Sequence, residues 1–340
     1  MSVRPYLPFS VLTGRTIQGL IDSDIDGCIE VVRAAYLAHE EGRSVNPASV
    51  FLTFPDRPNA RIIGLPAHLG APWDVSGIKW ISSFPDNVRS SFPRASAVLI
   101  LNSHEHGYPL ACLEASIISA ARTAASAVLA ARTLRDSKHV RSLGIVGNGL
   151  IARYVYRFML GTEWRIDEVQ LYDLDAAASD KFRRQVCDSD RHNTISVATD
   201  VASLIESCDV LLFATVAPRP HVQKPELFAH KPLVLHISLR DLAPEILLKA
   251  NNVVDDVDHV MHASTSPHLA EHLTGGRAFV NGTLADVIRG AIALDESRCT
   301  IFSPFGLGVL DLAVGKWVYD RAVAGRDTVP IEDFFWDLSR

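Results

Sequence analysis

The sequence predicts an α/β protein built on a doubly wound parallel sheet, and three observations predict it. From Val140 to about Val257, short and nearly continuous apolar runs alternate with segments whose apolar residues stand three or four apart. That alternation belongs to a parallel sheet covered by helices on both faces. The segment "GNGLIA" at 147–152 follows the first apolar run and opens a helical one, as a phosphate-holding loop does. The roughly 140 residues ahead of it read differently, with β-prone runs at hairpin spacing, so a second domain of α+β type is expected.

Taken in order, the first domain opens with a helix near 24–41, followed by the β-prone runs "SVFLTF", "ARIIGLPAHLG", "GIKWISSFP" and "SAVLILN". Asn102–Gly107 separates two such runs and predicts an antiparallel hairpin. An alanine-rich helix at roughly 111–134 leads into the parallel block, whose strands read "RSLGIVG", "EVQLYDLD", "NTISVAT", "DVLLFATV", "PLVLHISL" and "NNVVDDVD". The final 40 residues hold a strand, a glycine turn and an amphipathic helix able to rejoin the first domain.

Composition narrows the class. The chain has 340 residues, 48 % hydrophobic and 21 % charged, which suits two globular domains. A net charge of −6 gives no support for nucleic acid or an anionic membrane as main partner. The five cysteines (Cys28, Cys112, Cys187, Cys208, Cys299) are scattered, without CxxC spacing, and read as reduced thiols. "MSVRPYLPFSVLTG" lacks the apolar core of a secretory signal, and no uncharged apolar run reaches the ~18 residues of a membrane-spanning helix. A cytoplasmic protein is expected.

"GNGLIA" matches G-x-G-x-x-A: Gly147 for the tight turn, Gly149 for close approach of a pyrophosphate, Ala152 for helix–strand packing. Gly147, Asn148, Gly149, Leu150 and Ile151 are therefore candidate cofactor contacts. The next strand ends in Asp173, 26 positions after Gly147, placed to accept hydrogen bonds from adenosine ribose hydroxyls and to repel a 2′-phosphate. NAD rather than NADP is the expected cofactor.

Polar residues in apolar surroundings are the other candidates. Lys79 interrupts a strand and shares a face with Ile81, so it is either an edge residue with its ammonium in water or a cation aimed into a cleft. Arg122 has mostly small neighbours at three and four positions (Ser119, Ala125, Ser126) and calls for an anion, either a ligand carboxylate or a protein acid such as Glu114. Asp241 stands past the carboxyl end of "PLVLHISL", where it is either an acid–base group or the cap of a helix over 244–250; position alone favours the cap. His104 and His106 read as an exposed turn. His268 and His272 stand four apart but have no completing ligand, so no metal is expected.

In this order, "GIKWISSFPDN", "RASAVLILN", "YPLACLEASIISAARTAA", "GIVGNGLIA", the aspartate after "HISLR", and "SPFGLGVLDLA" resemble the ornithine cyclodeaminase/μ-crystallin family over nearly the whole chain. "RIIGLPAHLG…SGIKWI" and "LEASIISAARTAA" are more similar to the branch that makes 2,3-diaminopropionate for siderophores, of the N-(2-amino-2-carboxyethyl)-L-glutamate dehydrogenase kind. The resemblance implies a Rossmann block at 123–302 inserted in an α+β substrate-binding and dimerisation domain made of 1–122 and 303–340. It implies a homodimer, oxidation of the secondary amine with NAD, and hydrolysis of the resulting imine. It assigns Lys79 and Arg122 to the substrate carboxylate, with Lys79 also in the chemistry, and Asp241 to acid–base work. Thr123, Thr215, Val216 and Ser238 fall at cofactor-contacting positions and Phe305 at a substrate-pocket position. The chain departs from the cyclodeaminases at an early substrate arginine, replaced near Ser49, and at a glutamate before the "LP" turn, where Ile63 stands with Arg61 two residues earlier. Arg61 is thus a candidate substrate contact, and ornithine cyclodeamination is disfavoured. The alternatives are an alanine dehydrogenase, a cyclic imine reductase, or a crystallin-like binder without turnover.

Overall fold

The computed structural model describes residues 8–335. In chain order its elements are β1 (Phe9–Leu12), α1 (Gly14–Asp22), α2 (Ile25–Glu40), β2 (Ser44–Val45), β3 (Val50–Phe54), β4 (Arg57–Leu69), β5 (Val75–Ser83), β6 (Ala95–Ser103), β7 (Pro109–Glu114) and α3 (Ser116–Leu134). Then follow β8 (His139–Val146), α4 (Leu150–Gly161), β9 (Arg165–Tyr172), α5 (Ala176–Gln185), β10 (Thr194–Val197), α6 (Val201–Ser207), β11 (Val210–Phe213), β12 (Leu233–His236), α7 (Pro244–Leu247) and β13 (Asn251–Val254). The chain ends with α8 (Val257–Val260), α9 (Ser266–Thr274), β14 (Val280–Thr283), α10 (Leu284–Ile288), β15 (Thr300–Ser303), α11 (Gly308–Gly325) and β16 (Val329–Ile331). Two compact units result: the described parts of Met1–Arg122 and Leu307–Arg340, and Thr123–Gly306.

The first unit is an eight-stranded sheet in the order β16-β1-β7-β6-β5-β4-β2, with β3 on β4. The expected hairpin forms between β6 and β7, closed by Ser103 N–H donating to Tyr108 O and by Gly107 at φ +73°. Period two divides the long strands. Val75, Lys79 and Ser83 of β5 are buried on one face, while Trp80 on the other is 41 % exposed. α11 lies on the buried face because glycines admit it. A Cβ on Gly77 would collide with Ile100 O and reach 2.8 Å from Leu312 Cδ2, and Gly315 makes room in the same way for Leu99. On the opposite face, Val50, Leu52, Trp80 and Val98 form an apolar surface left open in the single chain.

The second unit is an eight-stranded parallel sheet, β10-β9-β8-β11-β12-β15-β13-β14. β8, β11 and β12 are buried almost throughout, which explains their continuous apolar text. Strand order reverses beside β8, so the loop that follows β8 lies at the topological switch point, the usual ligand position in such sheets.

The Gly77 contact is testable. Gly77→Ala forces a methyl into a packed backbone carbonyl, an overpacking cost of about 1–3 kcal/mol. Thermal unfolding should shift to lower temperature; an unchanged melting curve would mean that α11 does not rest on β5 as described.

Candidate active site

In the first unit, one carboxylate sits between two cations. Lys79 Nζ on β5 is 2.6 Å from Asp311 Oδ2 on α11, and Arg122 Nε on α3 is 3.3 Å from Asp311 Oδ1. Ser119, one helical turn before Arg122, accepts a further bond from Lys79 Nζ at 3.2 Å. Side-chain exposure is 2 % for Lys79, 0 % for Asp311 and 13 % for Arg122. Lys79 is therefore no edge lysine. Burial pushes its ammonium down to about 8, with Arg122 adding to the effect and Asp311 opposing it. Glu114 is not the partner of Arg122: its oxygens accept from Ser116 N and Ile117 N, capping α3. Two cationic groups thus meet at one point, and the Arg122 guanidinium, with 13 % of its side chain exposed, suits a carboxylate arriving from solution.

Arg61 lies apart from this group. It is exposed on β4, paired in register with Ser83, on the face that carries Lys79 but four residues farther along the strand. Arg94 donates to Ser83 Oγ at 3.0 Å, so a second guanidinium stands beside that position.

The glycine loop of the second unit is shaped by backbone contacts. Gly147 has φ +88°, and a Cβ there would come within 2.8 Å of Ala214 and of Thr215 N, the segment after β11. Gly149 is the N-cap of α4 and has no side chain to cap it; nothing lies within 4 Å of where its Cβ would stand. Unshielded amides at the start of a twelve-residue helix suit a phosphate. Ala152 is fully buried, as close helix packing requires. Asp173 accepts from Asn148 N at 2.8 Å and from Asp175 N at 3.0 Å, and Asn148 Oδ1 accepts from Ser179 Oγ at 2.7 Å. Asp173 thus also braces the loop itself. Leu150, Leu174 and Val216 around it are exposed apolar side chains, Leu174 by 96 %.

Asp241 is at the carboxyl end of β12 and fully buried. It does not cap the next helix, contrary to what its position suggested: the cap of α7 is Ala243, with no side-chain bond, and the helix ends at Leu247. Its carboxylate instead accepts from Thr215 Oγ1 at 2.5 Å, from His221 Nε2 at 3.0 Å and from Ser238 Oγ. Leu239, at φ +75°, makes the turn that brings Ser238 and Asp241 together. Burial opposes the charge, yet the donors, His221 first among them, hold the carboxyl well below the usual range. His236 Nε2 faces the Asp241 amide N–H at 3.2 Å, so it holds a lone pair there and carries its proton on Nδ1, toward Ser303 Oγ.

Among the remaining candidates, Ile151 follows Leu150 in the first turn of α4, and Thr123 follows Arg122 on α3. Phe305 packs half-buried against the small cluster of Val254, Val260 and Met261, and its N–H donates to Asp255 Oδ1. His104 and His106 are in an exposed turn. His268 and His272 face one another at 2.9 Å between Nε2 atoms, and no group of three metal ligands occurs among the described residues. Sequence reasoning missed two side chains. Asp311 gave a signal, a lone acid in the apolar run "GVLDLA"; His221, in the loop "APRPHVQK", gave none.

A family model for the ornithine cyclodeaminase/mu-crystallin family matches residues 11–326. The chain belongs to that family. It is 32 % identical over 321 residues to an alanine dehydrogenase of Archaeoglobus fulgidus, covering 92 % of this chain and 95 % of the relative. It is 30 % identical over 304 residues to N-((2S)-2-amino-2-carboxyethyl)-L-glutamate dehydrogenase of Staphylococcus aureus, covering 86 % and 89 %. The solved structure of an archaeal alanine dehydrogenase dimer with bound NAD superposes with a TM-score of 0.85 at 30 % identity, over 96 % of this chain and all of that one. The family thus shares both the sheet of the first unit and the parallel block.

Asp311→Asn keeps the shape and removes the negative charge that these ion pairs set against Lys79 and Arg122. Breaking a buried pair from one side costs about 3–5 kcal/mol. The expected result is a lower denaturation midpoint, partly recovered in Asp311→Asn/Lys79→Met; equal midpoints for wild type and Asp311→Asn would contradict the buried pairing.

Proposed function

We propose that this protein is an NAD-dependent amino-acid dehydrogenase that oxidises N-(2-amino-2-carboxyethyl)-L-glutamate and releases 2,3-diaminopropionate and 2-oxoglutarate. One observation carries the reading: two cations, Lys79 and Arg122, meet at a single buried carboxylate, and Arg122 keeps part of its side chain open to solvent. Such a group holds an amino-acid carboxylate. Arg122, the more exposed of the two, takes it directly, and Lys79 reinforces the field. Fixing the carboxylate orients the adjacent C–H, which converts an encounter into a positioned reaction. NAD, when bound, supplies the hydride acceptor. The cradle fits it through the positive-φ turn at Gly147, the uncapped start of α4, and the carboxylate of Asp173 for ribose. Water then adds to the iminium carbon of the substrate, and the Asp241 cluster manages the protons of that step.

The glutamate-derived substrate is supported by Arg61 with Arg94 nearby, cationic groups on the face that carries Lys79. A second carboxylate suits them, and the ammonium tail of ornithine does not. The similarity to the Staphylococcus aureus dehydrogenase agrees with this substrate, and the similarity to the alanine dehydrogenase is of the same order. The product is a building block for siderophores and related compounds. We assign a homodimer formed through the apolar surface of Val50, Leu52, Trp80 and Val98, and a cytoplasmic setting in keeping with five free cysteines.

The test is NADH formation at 340 nm across a panel of amines with product identification, including L-alanine, L-ornithine and L-proline. Turnover of N-(2-amino-2-carboxyethyl)-L-glutamate well above the others supports the assignment, whereas preference for L-alanine replaces it with alanine dehydrogenase. Arg122→Ala removes a charge-assisted bond of roughly 1.5–3 kcal/mol, so kcat/KM should fall about tenfold to more than a hundredfold with NAD affinity kept. Loss of NAD binding with substrate binding intact would instead make Arg122 a cofactor ligand.

Cofactor choice is separately testable. Asp173 would set a carboxylate beside the 2′-phosphate of NADP, so NAD should be preferred, and Asp173→Ser should narrow the gap by about tenfold or more as that repulsion goes. Equal use of NADP by the wild type would remove Asp173 from this role.

A further inference from the structure

Resting on the dehydrogenase reading, we infer that His221, not Asp241, exchanges protons with the water and amine of the hydrolytic step, and that Asp241 is its buried anionic partner. His221 Nε2 donates to Asp241 Oδ1 at 3.0 Å, and its backbone N–H donates to Asp241 O at 3.0 Å. The residue is thus tied to Asp241 through ring and main chain together. Its side chain is 35 % exposed, against 0 % for Asp241. Asp241 is ill suited to direct exchange. It has no exposed surface, and its two oxygens already accept from Thr215, Ser238 and His221. Donors that stabilise the carboxylate also weaken it as a base.

The neighbours leave this role to one imidazole. His236 is fully buried, with Nε2 committed to the Asp241 amide and Nδ1 to Ser303. Thr215 and Ser238 fix the carboxylate so that its free direction is toward His221. The ionised group facing His221 is Asp241, and Arg219 and Lys224 are exposed on its own loop. A histidine oriented through one ring nitrogen by a buried carboxylate keeps the other nitrogen for exchange.

After hydride transfer the substrate carries an iminium. A water oxygen bonds to its carbon, the C=N pair moves to nitrogen, and His221 takes one proton from that water. His221 returns it to the nitrogen. The C–N bond then breaks with its pair on nitrogen while the hydroxyl closes to the carbonyl. The hydroxyl proton follows the same path, so both water protons leave on the ammonium of the product.

The experiment uses full-length protein with NAD. His221→Ala and His221→Gln should each lower turnover by about 10²-fold, the usual worth of a positioned acid–base group, and abolish the acidic limb of the pH–rate profile. Added imidazole should restore part of the activity of His221→Ala, which a merely structural histidine would not allow. NAD binding, read by fluorescence, should persist. Without cofactor, NMR of histidine-labelled protein should show a hydrogen-bonded Nε2–H signal for His221 in wild type that moves upfield in Asp241→Asn, where a neutral amide replaces the charged acceptor. Turnover and pH profile unchanged in His221→Gln, or an identical Nε2–H signal in wild type and Asp241→Asn, would overturn the inference. If wild type oxidises no amine, the dehydrogenase reading fails, and the Nε2–H signal alone decides whether the His221–Asp241 pair exists.

Discussion

Asp311 is the constraint on which the first unit is organised. It stands 232 residues from Lys79 and 189 from Arg122, and the ion pairs join β5, α3 and α11 at one buried point. A carboxylate without exposure requires partners, because an isolated buried charge is far more costly than any single hydrogen bond. The cations are under the same demand. Asp311 therefore holds both cations, and the helix that follows the parallel block is fixed on the sheet that precedes it. The glycines of β5 and α11 serve this approach: with side chains at Gly77 and Gly315 the helix would not come close enough for Asp311 to reach Lys79.

A second buried carboxylate organises the other unit. Asp241 gathers Thr215 from the end of β11, His221 from the following loop and Ser238 from the end of β12. Thr215 N is also part of the surface against which Gly147 packs, so the glycine turn and the carboxylate cluster share one stretch of backbone. A change in either disturbs the other. Asp173 has a related double duty, since the oxygens suited to a ribose also brace Asn148 and hence the loop. The two carboxylates differ in what surrounds them. Asp311 is met by two full cations; Asp241 is met by neutral donors and a histidine, an arrangement able to move a proton.

Much of this was legible in the sequence because it is local. Continuous apolar strands, the G-x-G-x-x-A turn with its following helix, and the hairpin around Asn102–Gly107 depend on neighbours in the chain, and the structure has them. Lys79 and Arg122 stood out as polar residues in apolar text, yet their partner did not. Glu114 was near in sequence and Asp311 was not, and only the fold returns α11 to β5. The cap reading of Asp241 fails for the opposite reason. A position three residues before a helix suggests a cap, but a buried environment with three side-chain donors outweighed that local preference. His221 had no pattern to reveal it, being one polar residue among many in a loop. Its importance comes from what it touches.

In the proposed function Arg122 and Lys79, sharing Asp311, hold the carboxylate of an amino acid. A crystal structure with NAD and a bound substrate or product amino acid tests it most directly. The account predicts the carboxylate within hydrogen-bonding distance of the Arg122 guanidinium, on the side occupied by Lys79, with Asp311 still bridging both cations. A carboxylate bound away from Arg122, or an Asp311 released from both cations, would contradict it.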